Sequence, residues 1–117
     1  MIKKKIIYVD VDGTICENRD DLRDQDISIA YSDVKPYRDR ISQINALYDD
    51  GHEIVYWTAR GCKSGDDYTE LTKQQFEEWG VKYHDLQVGN KPHFDMYICD
   101  KSYNSESFFQ YKGRGLP

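Results

Sequence analysis

Short apolar runs alternate along the chain with segments of helical periodicity. Ile6-Ile7-Tyr8-Val9 is β-branched and aromatic and predicts a buried strand. Glu53-Ile54-Val55-Tyr56-Trp57 predicts a second strand, Val81 to Leu86 a short third, and Asp95-Met96-Tyr97-Ile98-Cys99 a fourth. Between the first two, Ile41, Ile44, Leu47 and Tyr48 fall at helical spacing. Pro36 suits that helix's first turn, where its missing N–H costs nothing, and Gly51 stops it. Tyr68, Leu71, Thr72, Gln75, Phe76 and Trp79 mark one face of a second helix, ended by Gly80. Residues 15–35 are too polar for core, with Asp20, Asp21, Asp24 and Asp26 among Arg19 and Arg23, and predict a solvated loop or flap. Residues 61–67 form a loop by composition, and 112–117 predict a frayed tail.

This alternation implies parallel β–α units, hence an α/β fold with one Rossmann-like open parallel sheet and flanking helices. The 117 residues suit a single domain, 1–117, and leave little room for a separate lid. Open sheets of this kind collect ligands outside the carboxyl ends of their strands. The residues just past each strand are therefore the informative part of the sequence. Strand one runs into Asp10-Val11-Asp12-Gly13-Thr14, strand two into Thr58-Ala59-Arg60, and strand four into Asp100-Lys101, with Lys91 in the loop before it.

Composition narrows the partners. Sixteen basic against 21 acidic residues leave a net charge of −5, which argues against a nucleic-acid binder. Lys3-Lys4-Lys5 is too weak a field to change that and reads as a solubilising edge. No stretch approaches the ~18 apolar residues of a membrane span. The apolar run behind the basic start stops at Asp10, too short for a signal peptide, so the expected setting is cytoplasmic. Cys16, Cys62 and Cys99 are widely spaced, without the pattern of a zinc site or disulfide framework, and Cys99 reads as a buried strand residue. His52, His84 and His93 lack ligand spacing and read as structural or solvent-facing.

The strand-end residues suggest phosphate chemistry. Asp10 and Asp12 flank one residue, and a curl there turns both carboxylates toward one site. With Asp100 they make a hard, oxygen-rich set suited to Mg²⁺. Lys91 can neutralise phosphate charge, Thr58 can donate a hydroxyl hydrogen bond, and Gly13 lets the backbone approach with an N–H. One Asp can attack phosphorus while the other protonates the leaving oxygen and later activates water. Each residue alone has a plainer use: an Asp-x-Asp as a turn or cap, Lys91 as a surface lysine, Thr58 as a satisfied strand-end hydroxyl. Their order along the chain, each at a strand end or in the adjoining loop, is what favours chemistry.

Asp10-Val11-Asp12-Gly13-Thr14 after an apolar strand resembles the first motif of the haloacid dehalogenase-like (HAD) phosphatases. Thr58, Lys91 and Asp100 resemble the second, third and fourth motifs, so that the likeness spans roughly residues 5–104. Trp57-Thr-Ala-Arg-Gly61, Leu71 to His84, Lys91-Pro-His-Phe-Asp95 and Asp100-Lys-Ser-Tyr-Asn104 are similar to short, capless members, including capsule and polysaccharide biosynthesis phosphatases. The resemblance implies Asp10 as nucleophile and Asp12 as general acid/base. It implies Mg²⁺ on Asp10, the Asp12 carbonyl and Asp100. Thr58 and Lys91 would hold the phosphate, with backbone N–H groups near Asp12, Gly13 and Ala59, and Arg60 would lie within reach of the substrate. The fourth motif often carries two adjacent acids; here Cys99 replaces the first.

The expected function is thus Mg²⁺-dependent hydrolysis of a small phosphorylated metabolite, a sugar or polyol phosphate, through an aspartyl-phosphate. Neither nucleic acid nor membrane is expected as a partner, and a homo-oligomer would fit an entrance that lacks a cap. Two alternatives stand beside it. A degenerate phosphate-binding protein would account for Cys99. A receiver-like phosphotransfer module would place acids, Thr and Lys at strand ends, but Asp10-x-Asp12-Gly-Thr does not fit its layout.

Overall fold

The computed structural model describes residues 3–19 and 30–110. The predicted frayed tail, 112–117, and the middle of the predicted flap lie outside the described residues. The described elements are β1 (Ile6–Val9), a 3-10 turn (Tyr31–Asp33), α1 (Arg38–Asp49), β2 (Glu53–Thr58), α2 (Thr69–Trp79), β3 (Asp85–Val88) and α3 (Ser105–Gln110). The three strands pair in the order β1-β2-β3, all parallel, so the fold is the expected Rossmann-like open sheet flanked by helices.

β2 is the central strand and the most buried, with Ile54 and Tyr56 at 0% exposure. A strand covered on both faces needs apolar residues on both, and Ile54-Val55-Tyr56 supplies them. Ile41 and Ile44 of α1 and Phe76 and Trp79 of α2 join this core. Phe76 meets Tyr56 edge-on, with ring centroids 4.9 Å apart, a geometry aromatic pairs favour. α2 ends where expected, on Gly80, whose φ of 70° closes the helix in the left-handed conformation.

Several expectations need correction. Both ends of the polar 15–35 segment belong to the core: Ile15 and Cys16 are at 0% exposure and Val34 at 5%. Cys16 bridges antiparallel to Pro36, and the Tyr37 N–H donates to the Ile15 carbonyl at 2.8 Å. Pro36 is therefore a bridge residue, and α1 begins two residues later. The third strand lies at 85–88 rather than 81–86, because Val81 and Tyr83 turn into the core first.

The fourth strand is not among the described elements. Asp95–Cys99 carries no strand pairing, and Met96, Tyr97 and Ile98 are 77%, 63% and 88% exposed. The Phe94 and Tyr97 rings contact each other at 5.6 Å. In an extended strand, residues three apart point to opposite faces, so that contact requires a folded-back backbone. α3, which the periodicity does not reveal, begins after Asn104, whose Oδ1 accepts the Glu106 N–H at 2.9 Å.

Parallel pairing places the carboxyl ends of β1, β2 and β3 along one edge. Asp10, Thr58 and the Gly89-Asn90-Lys91 turn all issue from it.

Candidate functional site

The turn after β1 sets the two aspartates. Val11 is fully buried and anchors it. Its carbonyl accepts the Thr14 and Ile15 N–H groups at 3.1 and 3.0 Å, and the Gly13 N–H donates to the Cys16 carbonyl at 2.8 Å. Gly13 sits at φ 79°, a conformation in which a side chain would be strained. Its N–H is thus engaged within the turn, contrary to the expectation that it faces phosphate. What Gly13 contributes is the curl that separates the surroundings of Asp10 and Asp12.

Asp10 faces the open side. Its side chain is 42% exposed, and Oδ1 lies 3.2 Å from Lys91 Nζ. Lys91 Nζ also lies over the Trp57 and Phe94 rings, 5.6 and 5.8 Å from their centroids. Crowding by the protein raises the Asp10 carboxyl above the ordinary carboxylate range; Lys91 and the Val11 N–H pull it back only in part.

Asp12 faces inward, onto Arg60. Arg60 Nε donates to both oxygens, at 3.0 Å to Oδ2 and 3.3 Å to Oδ1, and Nη2 donates to Oδ1 at 2.9 Å. Arg60 is 1% exposed. Its Nη1 donates to Thr72 Oγ1 at 3.1 Å and to Gln75 Oε1, both on α2. Burial acts against the guanidinium charge, but the bonds to Asp12 outweigh it and hold the cation. Cys16 Sγ lies 3.5 Å from Asp12 Oδ1, and burial, then the Asp12 charge, push its thiol pKa far up. Cys16 is consequently an inert buried thiol.

Thr58 closes the edge of β2 at 1% exposure. Its Oγ1 accepts the Arg60 N–H at 3.2 Å, which leaves the hydroxyl proton for a separate acceptor. Ala59 lies between these two residues, and its carbonyl accepts the Cys62 N–H. The structure therefore brings together Asp10, Asp12, Gly13, Thr58, Ala59, Arg60 and Lys91. Arg60, however, is enclosed as a partner of Asp12 and is not placed to meet substrate.

Asp100 is not part of this group. It is exposed and its Oδ1 lies 3.8 Å from Cys99 Sγ. Cys99 is half-buried outside any strand, not the buried strand residue expected. Among the described residues no three His, Cys, Asp or Glu side chains gather as a cation site. The Asp12 carboxylate is taken by Arg60 and Asp10 faces Lys91, while the Asp12 carbonyl is the atom expected to bind the ion; with Asp100 apart, the described residues do not gather the three expected ligands.

The polar partners of Arg60 are legible in the sequence only as an oddity. Thr72 and Gln75 interrupt an otherwise apolar helix face, and buried polar side chains need partners. The histidines are structural or exposed, as expected: His52 Nδ1 accepts the Lys5 N–H at 3.1 Å and His84 Nδ1 the Ile54 N–H at 3.0 Å, while His93 is exposed.

This fold and edge define an α/β open-sheet protein with acidic and basic side chains paired at the carboxyl ends of its strands. The chain is similar to a protein of Vibrio cholerae whose crystal structure was determined as an MCSG target. That likeness has a TM-score of 0.73 and 26% identity, over 92% of this chain and 88% of the other. No family model and no curated protein matches the chain. Among the described residues no helix is long and apolar enough to cross a membrane.

Proposed function

We propose that the protein is a HAD-like phosphomonoester hydrolase that works through an aspartyl-phosphate on Asp10. The observation that carries this reading is the division of labour between two aspartates of one turn. Asp10 is open and paired with Lys91, and Asp12 is enclosed by an arginine. Neighbouring acids in unlike surroundings suit unlike roles, nucleophile and acid/base.

An arriving phosphate draws Lys91 from Asp10 and frees Oδ1. Asp10 Oδ1 then forms a bond to phosphorus as the bond to the leaving oxygen breaks, and that oxygen takes a proton from Asp12, which must first take up one from solvent and turn an oxygen from Arg60 to the site. In the second half, water gives a proton to the Asp12 carboxylate and its oxygen bonds to phosphorus. The bond to Asp10 breaks and inorganic phosphate leaves. Lys91 and the Thr58 hydroxyl steady the phosphoryl oxygens. Magnesium belongs to this reading as a requirement to be measured. Asp10 and Asp100 are the carboxylates that would hold it, once the Asp100 segment is brought to Asp10.

A small sugar or polyol phosphate is the substrate class, on the strength of the resemblance alone. The open side of Asp10 leaves room for it. Three free cysteines suit a reducing, cytoplasmic setting. Release of phosphate from p-nitrophenyl phosphate and a sugar-phosphate panel, with Mg²⁺ and with EDTA, tests the reading. Turnover that survives Asp10→Asn refutes it. A second reading, a phosphate-binding protein without turnover, is favoured by the ion pairs on both aspartates and the absence of a gathered cation site among the described residues. Phosphate binding with no hydrolysis of any ester would support it.

A further inference from the structure

We propose that the rings of Tyr8, Trp57, Phe94 and Tyr97 form a stacking platform beside Asp10 and Lys91, and that the esterified alcohol seated on it is a pyranose ring rather than an open-chain polyol. This rests on the phosphatase reading and narrows its substrate class.

The sheet has two unlike faces. Residues two apart on a strand share a face. Ile7 and Val9 of β1 and Ile54 and Tyr56 of β2 pack with the helices. Tyr8 and Trp57 turn the other way and meet edge-on, with ring centroids 5.9 Å apart. Tyr8 remains 54% exposed. Trp57 is half-buried, and its Nε1 donates to Asn90 Oδ1 at 3.0 Å, which fixes the indole. Asn90 Nδ2 in turn donates to Gln87 Oε1 at 3.2 Å. From the following loop, Phe94 and Tyr97 add a second pair of rings, 5.6 Å apart and tilted by 31°, at 43% and 63% exposure. Tyr8, Phe94 and Tyr97 are too exposed to serve mainly as core.

Lys91 joins the two pairs of rings to the reaction edge. Its Nζ lies 3.2 Å from Asp10 Oδ1 and over both the Trp57 and the Phe94 ring. A phosphate held by Lys91 at Asp10 therefore carries its ester group into the neighbourhood of these rings. Contiguous exposed aromatic surface beside a charged anchor is the mark of a ligand site. The C–H groups of a pyranose make a flat apolar face that suits the electron-rich face of an aromatic ring, while its hydroxyls point to the rim and to solvent. An open-chain polyol has no such face and loses more rotational freedom on binding.

A matched pair of esters provides the test. Glucose 6-phosphate and glucitol 6-phosphate share six carbons, closed into a ring in the first and open in the second. The ratio of their kcat/KM values, ring over open chain, should be about 5-fold or more, and Phe94→Ser should bring it to about 1–2. Tyr97→Ser should lower it in the same direction by less. The ratio is internal to each variant, so a loss of folded protein cancels. A wild-type ratio near 1, or one that Phe94→Ser does not lower, overturns the proposal. So does a preference for adenosine 5′-phosphate over glucose 6-phosphate, which would make the platform a seat for a base. A dimer that dissociates in Tyr97→Ser with the ratio unchanged would make the rings an interface between copies, and overturns it too. Binding gives a readout without turnover. Calorimetric titration of the same two esters into Asp10→Asn should show the same preference, lost when Phe94→Ser is added. Turnover without a ring preference breaks the platform and leaves the phosphatase; ring-selective binding to a wild type that hydrolyses neither ester breaks the phosphatase and leaves the platform.

Discussion

The two ends of the candidate catalytic set differ in how they are held. Asp12 and Arg60 sit in a network of side-chain bonds with α2 and the 3-10 turn, beside a hydrogen-bonded turn at 11–16. Asp100 sits on a stretch whose apolar side chains face solvent and which lies outside the sheet. The first region has its geometry before any ligand arrives; the second does not. Pre-organised groups cost nothing to place at the moment of reaction. In the proposed reading the acid/base residue lies in the tied region and a cation ligand in the loose one.

The largest expected effects fall at the carboxyl edge of the sheet, beside the tied region. Lys91→Met removes the cation 3.2 Å from Asp10 and should lower kcat/KM by about 10²–10³-fold. A loss under threefold would separate Lys91 from the phosphate. Gly61→Ala comes next. Gly61 follows Arg60 at φ 82°, and a Cβ there would collide with the Asp66 carbonyl oxygen. Destabilisation of about 2–4 kcal/mol is expected in urea unfolding. A neutral variant would mean that the chain after Arg60 is not tied as described.

Asp10→Asn should melt only slightly higher than wild type, because a side chain 42% exposed is screened by solvent. The folded state raises the Asp10 carboxyl, chiefly because the surrounding protein takes water from part of it, so ionised Asp10 costs some stability as pH rises through its folded value. The gain from Asn should vanish in acid, where Asp10 is protonated folded or unfolded, and open toward neutral pH. The opposite pH trend would show Lys91 outweighing burial. The smallest effect is expected in the loose region. Ile98→Ser at an 88% exposed side chain should change stability by no more than about 0.5 kcal/mol. A loss of about 2 kcal/mol would place Ile98 in a packed strand and Asp100 at its end.

The same contrast explains what can be read from the sequence. The ends of β1 and β2 are legible because buried parallel strands are continuous apolar runs, and the first polar residue after each marks the edge. Arg60 reads as a substrate contact because a polar residue beside a phosphate site is usually turned toward it. Its burial depends on Thr72 and Gln75, twelve and fifteen residues away in sequence. Ile15, Cys16 and Val34 are hidden by polar neighbours, since two short apolar pieces make a core only when their chain closes on itself. Met96-Tyr97-Ile98 looks like a strand by composition alone. Composition does not report that Phe94 and Tyr97 bend the backbone between them.

The most direct test of the central claim is chemical identification of the phosphorylated residue. The protein would be mixed with excess p-nitrophenyl phosphate, quenched in acid at times from milliseconds to minutes and mapped by mass spectrometry. A phosphoryl group on Asp10, absent in Asp10→Asn, is the expected result. Phosphate released with no modified residue at any quench time, or a phosphoryl group on another side chain, would contradict it.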